Sequence, residues 1–237
     1  MKNLLKLAAA GGILMAGTMA FSQSALAAPV GCDTLTTMQD WMDASGNMDP
    51  GCLDQDKLYI FQGASGDAFD PSTILSEWSF FTAGPVDVHQ ISFTPDPKPF
   101  QADGIYNFWY SIDITDPERY FDEVSMDTDV PGQTPDVLVT KDIYDGDKDA
   151  GGNFLVGIES LSGASTGTVN ICGACQSIWV YDTVRINQGD AGSGGDTGGV
   201  NSITQTFTQK GVPEPMSAAL FGLGLLGLGA VRRRKSA

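Results

Sequence analysis

The sequence predicts an all-β protein: an antiparallel two-sheet sandwich, jelly-roll-like, flanked by an N-terminal signal peptide and a C-terminal hydrophobic sorting helix. After Asp56, short runs of aromatic and β-branched residues are separated by Gly, Pro, Asp and Ser clusters. Two of these runs alternate between apolar and polar residues, and no long stretch between the termini has a helical period. Strands that each bury one face fit a two-sheet sandwich, and a barrel is the alternative.

The first 27 residues have the composition of a cleaved signal peptide. Lys2 and Lys6 precede an apolar run at 7–21, so the charged end stays cytoplasmic while the run enters the bilayer. We therefore expect signal peptidase to release a mature chain. Its cleavage site is formed by Ala25, Ala27 and Ala28. The alternative is a lipoprotein acylated at Cys32, but the usual leucine before the cysteine is missing.

Residues 28–56 are predicted to form a disulfide-bearing N-terminal segment that precedes the sandwich domain at 57–210. A short helix is indicated by the three- and four-residue spacing of Leu35, Met38, Trp41 and Met42. The cysteines, which oxidise readily after export, are Cys32, Cys52, Cys172 and Cys175. Three pairings are open, and proximity favours the first with the second and the third with the fourth. The last two have redox spacing, but they lie between strand-like runs, which favours a structural disulfide.

Nine strands are predicted near residues 58–62, 86–93, 105–114, 120–127, 135–142, 153–160, 166–172, 177–186 and 201–209. The strand at 177–186 is the clearest, because its apolar residues share one face over ten positions. In the strand at 105–114, Trp109 interrupts the polar face. The stretch 188–200 contains six glycines and is predicted to be a flexible loop before the last strand.

The exported part of the chain is strongly acidic. The formal net charge is −16 over 237 residues, and between residues 28 and 211 seven basic residues face 28 acidic ones, which gives −21. Such a surface repels phosphate backbones and anionic lipid, so nucleic-acid binding is disfavoured and cations are the more natural small partners. Asp outnumbers Glu by 24 to 5, and Asp suits turns and oxygen-ligand metal loops.

One local acid cluster predicts a metal site. Asp145, Asp147 and Asp149 alternate along the chain, and alternate carboxylates can converge on one hard cation such as calcium. An EF-hand loop would need glycine at its sixth position, where Ala150 stands, and a glutamate at its twelfth, which is missing. We expect either an irregular structural calcium loop or a solvated acidic turn, and no other cofactor.

No catalytic arrangement emerges from the sequence, and we expect the protein not to be an enzyme. His89 is the single histidine, it lies in a predicted strand, and no Gly-x-Ser-x-Gly motif accompanies it. Paired carboxylates can hydrolyse glycosides, but no pair stands out among 29 acidic residues.

The last 26 residues form a tripartite tail. It begins with Val212, Pro213, Glu214 and Pro215. Sixteen uncharged residues follow at 216–231, and the tail ends with the basic residues Arg232, Arg233, Arg234 and Lys235. As a helix the uncharged run would be about 24 Å long, which is short for a permanent membrane anchor, and its four glycines weaken it further. The basic cluster should stay cytoplasmic, with the prolines at the outer face.

This tail resembles the sorting signal of the PEP-CTERM proteins of Gram-negative bacteria, in the order and spacing of its three parts. The resemblance implies transient insertion into the inner membrane and removal of the tail by exosortase, a membrane cysteine transpeptidase. It also implies delivery to the cell surface or the extracellular polysaccharide matrix. An ordinary tail anchor is the alternative that composition alone would allow.

Three functions are compatible with these features. The first is a structural or binding role at the cell surface, linked to exopolysaccharide or biofilm. The second is a carbohydrate-binding module, in which Trp109, Trp179 and Tyr181 would stack on sugar rings, although such residues are more often core. The third is a glycoside or polysaccharide hydrolase. A flat aromatic platform would favour the second function, and a cleft with two facing carboxylates would favour the third.

Overall fold

The computed structural model describes residues 28–46, 50–66, 70–96, 104–130, 137–186 and 199–211. The predicted signal peptide, the predicted sorting tail and residues 188–198 of the glycine-rich loop lie outside these ranges. Within them, no helix has both the length and the apolar character needed to cross a membrane.

Strands dominate the described part of the chain. In chain order they are β1 (Val30–Gly31), β2 (Cys52–Asp54), β3 (Lys57–Gly66), β4 (Ile74–Ala83), β5 (Val86–Pro95), β6 (Gly104–Ile114), β7 (Arg119–Asp129), β8 (Val137–Tyr144), β9 (Phe154–Leu161), β10 (Ala164–Ser165), β11 (Val169–Asn170), β12 (Ser177–Ile186) and β13 (Ser202–Gly211). One α-helix, α1 (Met38–Ala44), and two 3₁₀ turns, Cys32–Thr34 and Pro71–Thr73, complete the described elements.

The strands form two sheets. One has eight strands in the order β1-β2-β3-β6-β12-β8-β9-β10, and the other has five in the order β11-β7-β13-β5-β4. Neighbouring strands are antiparallel, except that β1 runs parallel to β2. Because the described strands belong to two separate sheets, the two-sheet arrangement predicted from the sequence is confirmed and the closed barrel is not found.

Both sheets contribute to one hydrophobic core. The inner residues of β12, which alternate as predicted, are fully buried: Ile178, Val180, Val184 and Ile186. From the five-stranded sheet, Phe93, Ile203 and Phe207 are also fully buried in the same cluster. Each such side chain stabilises the fold by about 1.5–3 kcal/mol relative to an exposed one. Burial of one face of each sheet against the other is what makes the molecule a β-sandwich.

The N-terminal segment belongs to the same core. The helix α1 begins with a capping box, in which the Thr37 hydroxyl accepts from the Asp40 backbone N–H and the Asp40 carboxylate accepts from that of Thr37. Trp41 on this helix is fully buried, and the disulfide Cys32–Cys52 joins the start of the segment to β2 near its end. The residues predicted as a separate segment therefore close the sandwich together with the strands that follow.

The structure departs from the predicted strands in several places: the short strands β1, β2 and β10 are not predicted, and two larger differences have a physical reason. The strand β4 is not predicted, because only its first half alternates, while its second half, from Ser79, is exposed on both faces at the sheet edge. The predicted strand at 166–172 is reduced to the two residues of β11, since Gly167 has a positive φ of 90° and the chain turns there. Cys172 and Cys175 are bonded in the following turn, the pairing that proximity favoured.

Candidate functional site

The outer face of the eight-stranded sheet carries a group of aromatic side chains. Trp109 on β6 and both Trp179 and Tyr181 on β12 point to this face and are half-buried, while their chain neighbours are buried inside. The three residues that the sequence singled out for sugar stacking are therefore outside the core. Tyr144 on β8 and Phe154 on β9, which is 57% exposed, lie on the same face.

The register of the strands sorts these residues into two neighbouring rows across the sheet. The first row is Gly63, Trp109, Tyr181, Asp142 and Gly157, on β3, β6, β12, β8 and β9. The second row is Ser111, Trp179, Tyr144 and Phe154. Directly opposed side chains have Cβ atoms about 5 Å apart, so neighbouring side chains within a row can touch. We call the two rows together the outer platform.

The indole of Trp109 packs against β3 at Gly63, where the missing side chain leaves room for the ring. A Cβ atom added at Gly63 would be 2.4 Å from Trp109 Cζ2 and 2.7 Å from Cε2, which places the ring over the glycine backbone. The ladder between β3 and β6 shifts its register just before this glycine, between Phe61 and Gly63. The indole is half-buried in this position, so part of it remains exposed to solvent.

The ring of Tyr181 lies parallel to that of Trp109 on the neighbouring strand. The two ring planes are within 9° of parallel, and their centroids are 6.3 Å apart. Aromatic faces carry a partial negative charge, so a parallel pair attracts the weakly positive C–H groups on one side of a sugar ring. This part of the outer platform is an aromatic surface of the kind that can stack against sugar rings.

The hydroxyl of Tyr181 is fixed by the loop that follows β8. It donates to Asp147 Oδ1 at 2.8 Å and accepts from the Lys148 backbone N–H at 3.1 Å. Burial, and then the hydrogen bond to Asp147, raise the pKa of Tyr181 to about 12, so the hydroxyl stays protonated. The ring thus keeps its orientation at neutral pH.

Polar groups border the aromatic surface on both sides. Thr183 donates to Asn107 Oδ1 at 2.9 Å, one row from the tryptophan. Gln62 donates to the hydroxyl of Ser111 at 3.1 Å on the other side. A few polar groups around an apolar surface are typical of ligand sites, because they fix the orientation of a bound molecule.

The three predicted calcium ligands lie beside the outer platform, in the loop between β8 and β9. Asp145 accepts from the backbone N–H and the side-chain amide of Asn153, at 2.7 and 2.9 Å. Asp147 accepts from Tyr181 and from the backbone N–H of Asp149. These bonds orient the carboxylates of Asp145 and Asp147 separately. The described residues contain no group of three or more His, Cys, Asp or Glu that could hold a metal. Calcium binding stays a prediction.

A second polar cluster lies at one end of the sandwich, around His89. The imidazole is fully buried, its Nδ1 is 2.8 Å from Asp54 Oδ2, and its Nε2 has no hydrogen-bond partner among the described residues. Burial lowers the pKa of His89, against the hydrogen bond to Asp54. Lys57, also fully buried, donates to Gln209 Oε1 at 2.6 Å, and burial lowers its pKa to about 8. The sequence did not indicate that these groups meet.

A third polar cluster connects the two sheets within the core. Lys141 Nζ donates to Asp182 Oδ1 at 2.8 Å, and Gln205 from the opposite sheet donates to Asp182 Oδ2 at 2.8 Å. Gln205 Oε1 also accepts from Lys141 and from the hydroxyl of Tyr110. All four side chains are at most 1% exposed. The cluster has no access to solvent, so we assign it to stability and not to ligand binding.

Comparisons with known proteins identify no family. No family model matches the chain, and no curated protein matches it significantly. Among solved structures, the enzymatically active domain of tailspike protein 4 from bacteriophage CBA120 is 12% identical, with a TM-score of 0.27, over 67% of this chain but only 20% of the tailspike chain.

Two further matches are carbohydrate-binding modules. A structure described as CBM4 is 12% identical, with a TM-score of 0.21, and the match covers 63% of this chain and 82% of that chain. A module of family 29 is 9% identical, with a TM-score of 0.21, over 66% of this chain and 89% of that chain. TM-scores this low support no shared function, so any functional assignment depends on the outer platform itself.

Proposed function

We propose that the protein binds polysaccharide through the outer platform and does not cleave it. The observation that carries this proposal is the parallel pair of Trp109 and Tyr181, half-buried side chains on neighbouring strands of a solvent-facing sheet. A role confined to packing would place these rings in the core, where the inner faces of the same strands supply ample apolar residues. The aromatic, polar-bordered surface suits a chain of sugar rings.

Replacing Trp109 by Ala should weaken polysaccharide binding about tenfold, since one stacking face and its polarisable surface are lost. Affinity electrophoresis in gels that contain neutral, anionic or cationic polysaccharides measures the effect. Gly63→Ala should also weaken binding, because the new Cβ would displace the Trp109 indole from its position beside Gly63.

Two control variants separate the site from general effects. Phe81→Ala removes an aromatic ring that is 47% exposed on the other sheet, and Gly173→Ala adds a methyl group where no heavy atom lies within 4 Å. Both controls should bind like the wild type. If the polysaccharide retards Trp109→Ala and Phe81→Ala equally, the outer platform is not the binding site. If no polysaccharide retards the wild type, the structural matrix role replaces the binding role.

We also propose that the protein acts outside the inner membrane, after removal of residues 1–27 by signal peptidase and of the tail by exosortase. The support comes from the tripartite tail and the signal peptide of the sequence. Mass spectrometry of the mature protein should find Ala28 at the N-terminus and residues 216–237 missing in cells with active exosortase. A strain without exosortase is the control, and retention of the tail in both strains would contradict the proposal.

A further inference from the structure

The ammonium group of Lys148 lies against two aromatic rings of the outer platform. Lys148 Nζ lies 5.8 Å from the ring centroid of Tyr144 and 5.5 Å from that of Tyr181. The two rings are inclined at 76° with centroids 5.4 Å apart, so they form the two walls of a corner. An ammonium group in such a corner is attracted by the negative faces of the rings. Lys148 itself is exposed, so it can leave the corner.

Two acidic residues are neighbours of Tyr181, and neither forms an ion pair with the lysine. Asp142 is the cross-strand neighbour of Tyr181, and Asp147 accepts the hydrogen bond of the Tyr181 hydroxyl. Among the described residues, no carboxylate oxygen lies within 4.0 Å of Lys148 Nζ. The rings therefore hold the ammonium group, while the acidic surroundings favour any cation that enters.

We propose that Tyr144, Tyr181 and Asp142 form a subsite for the ammonium group of an amino-sugar polysaccharide, and that Lys148 occupies this subsite in the free protein. The inference rests on the proposed function, because it places the sugar ring on Trp109 and its charged substituent in the adjacent corner. Lys148 then acts as a competitor that a bound ammonium group must displace. Uronic-acid polymers are disfavoured by the same carboxylates and by the net charge of the chain.

Titration calorimetry with three hexasaccharides tests this selectivity. The probes are the hexamers of glucosamine, N-acetylglucosamine and galacturonic acid, at a pH at which the amines are protonated. The first two share a backbone and differ in charge, so their comparison isolates the ammonium group. We expect the glucosamine hexamer to bind most tightly and the galacturonic acid hexamer most weakly.

The variant Lys148→Met should bind the glucosamine hexamer about twofold to fivefold more tightly than the wild type, because the competing cation is gone. Lys210→Met is the matched control. It changes the net charge by the same amount, but Lys210 lies on the other sheet, where it pairs with Asp122 at 2.6 Å. It should leave the affinity within error of the wild type, since a loss of positive charge far from the corner removes no competitor.

The outcomes separate this inference from the proposed function. If the two glucosamine-based hexamers bind equally and both lose affinity in Trp109→Ala, the platform binds sugar but the ammonium subsite is wrong. If the glucosamine hexamer binds Trp109→Ala as well as the wild type, the attraction is that of a polycation for an acidic surface, and both proposals are overturned at this site. If none of the three hexamers binds, the proposed function itself fails for these sugars and the subsite fails with it.

Discussion

Replacing Lys141 by Met should lower the free energy of unfolding by about 3–5 kcal/mol at neutral pH, because Asp182 is then left charged and unpaired inside the core. Both side chains are completely buried, and the ammonium group is the nearest positive charge to the carboxylate, at 2.8 Å. Urea denaturation followed by tryptophan fluorescence measures the loss as a lower midpoint. The variant keeps a side chain of similar length, so the loss of packing is small.

The loss of unfolding free energy in Lys141→Met should become smaller at acidic pH. Burial raises the pKa of Asp182, and the positive charge of Lys141 opposes that rise. Without Lys141 the pKa of Asp182 rises further. An acid with a higher pKa in the folded state takes up a proton on folding, so the stability it contributes is retained at low pH and lost as the pH rises through the folded pKa. The difference in unfolding free energy between Lys141→Met and the wild type should therefore become smaller as the pH falls toward 3.8, the ordinary pKa of aspartate.

A double variant tests whether the unpaired charge is the cause. Lys141→Met combined with Asp182→Leu removes both charges, and apolar replacements for a buried ion pair often cost little. The double variant should therefore be more stable than Lys141→Met alone and should lose the acid dependence. If the single variant loses less than about 1 kcal/mol, or if its deficit does not change with pH, the carboxylate is solvated in the folded protein and the buried network is not as described.

The inward faces of the strands follow from the sequence, because a strand buries every second residue. Alternation in 177–186 places its apolar residues inside, and the structure agrees. The same alternation puts Asp182 inside, between Val180 and Val184, and puts Lys141 inside, between Val139 and Ile143. A charged residue at an inward position is thus a signal that the sequence contained. Which charge meets which depends on strand pairing over long separations, and alternation does not specify that register.

For the outer platform too, the sequence predicts which face of a strand a residue occupies but not which residues become neighbours. Alternation places Trp109 and Tyr181 on the polar side of their strands, so their exposure could have been argued from the sequence alone. That they are direct neighbours depends on the pairing of β6 with β12. That Trp109 packs against Gly63 depends on the pairing of β3 with β6 and on the shifted register beside this glycine, which one strand by itself does not reveal. Tyr144 and Phe154 were missed because the turn between them hides their pairing.

Replacing Trp41 by Ala should cost about 3–5 kcal/mol, the amount expected for a large aromatic residue removed from a core. Trp41 is fully buried and its ring meets both sheets. Its ring partners are Phe61, Trp78, Phe93 and Tyr110, with centroids between 5.1 and 6.1 Å away. The short helix that carries it therefore closes one side of the sandwich, and the cavity left by Ala would face both sheets.

This variant also tests whether residues 28–56 fold with the rest of the chain. If the segment shares the core, Trp41→Ala shifts the whole unfolding transition, and fluorescence and circular dichroism report the same lower midpoint. If the segment were independent, the sheets would keep the wild-type midpoint while the helix signal changed. Trp109→Ala is the matched control, because the same residue type is removed from the half-buried outer face, where the indole neighbours residues of a single sheet. Trp109→Ala should lower the free energy of unfolding much less than Trp41→Ala, since its ring contacts one sheet and not two. Because Trp109→Ala stays folded, it can serve as the binding-deficient variant in the polysaccharide experiments.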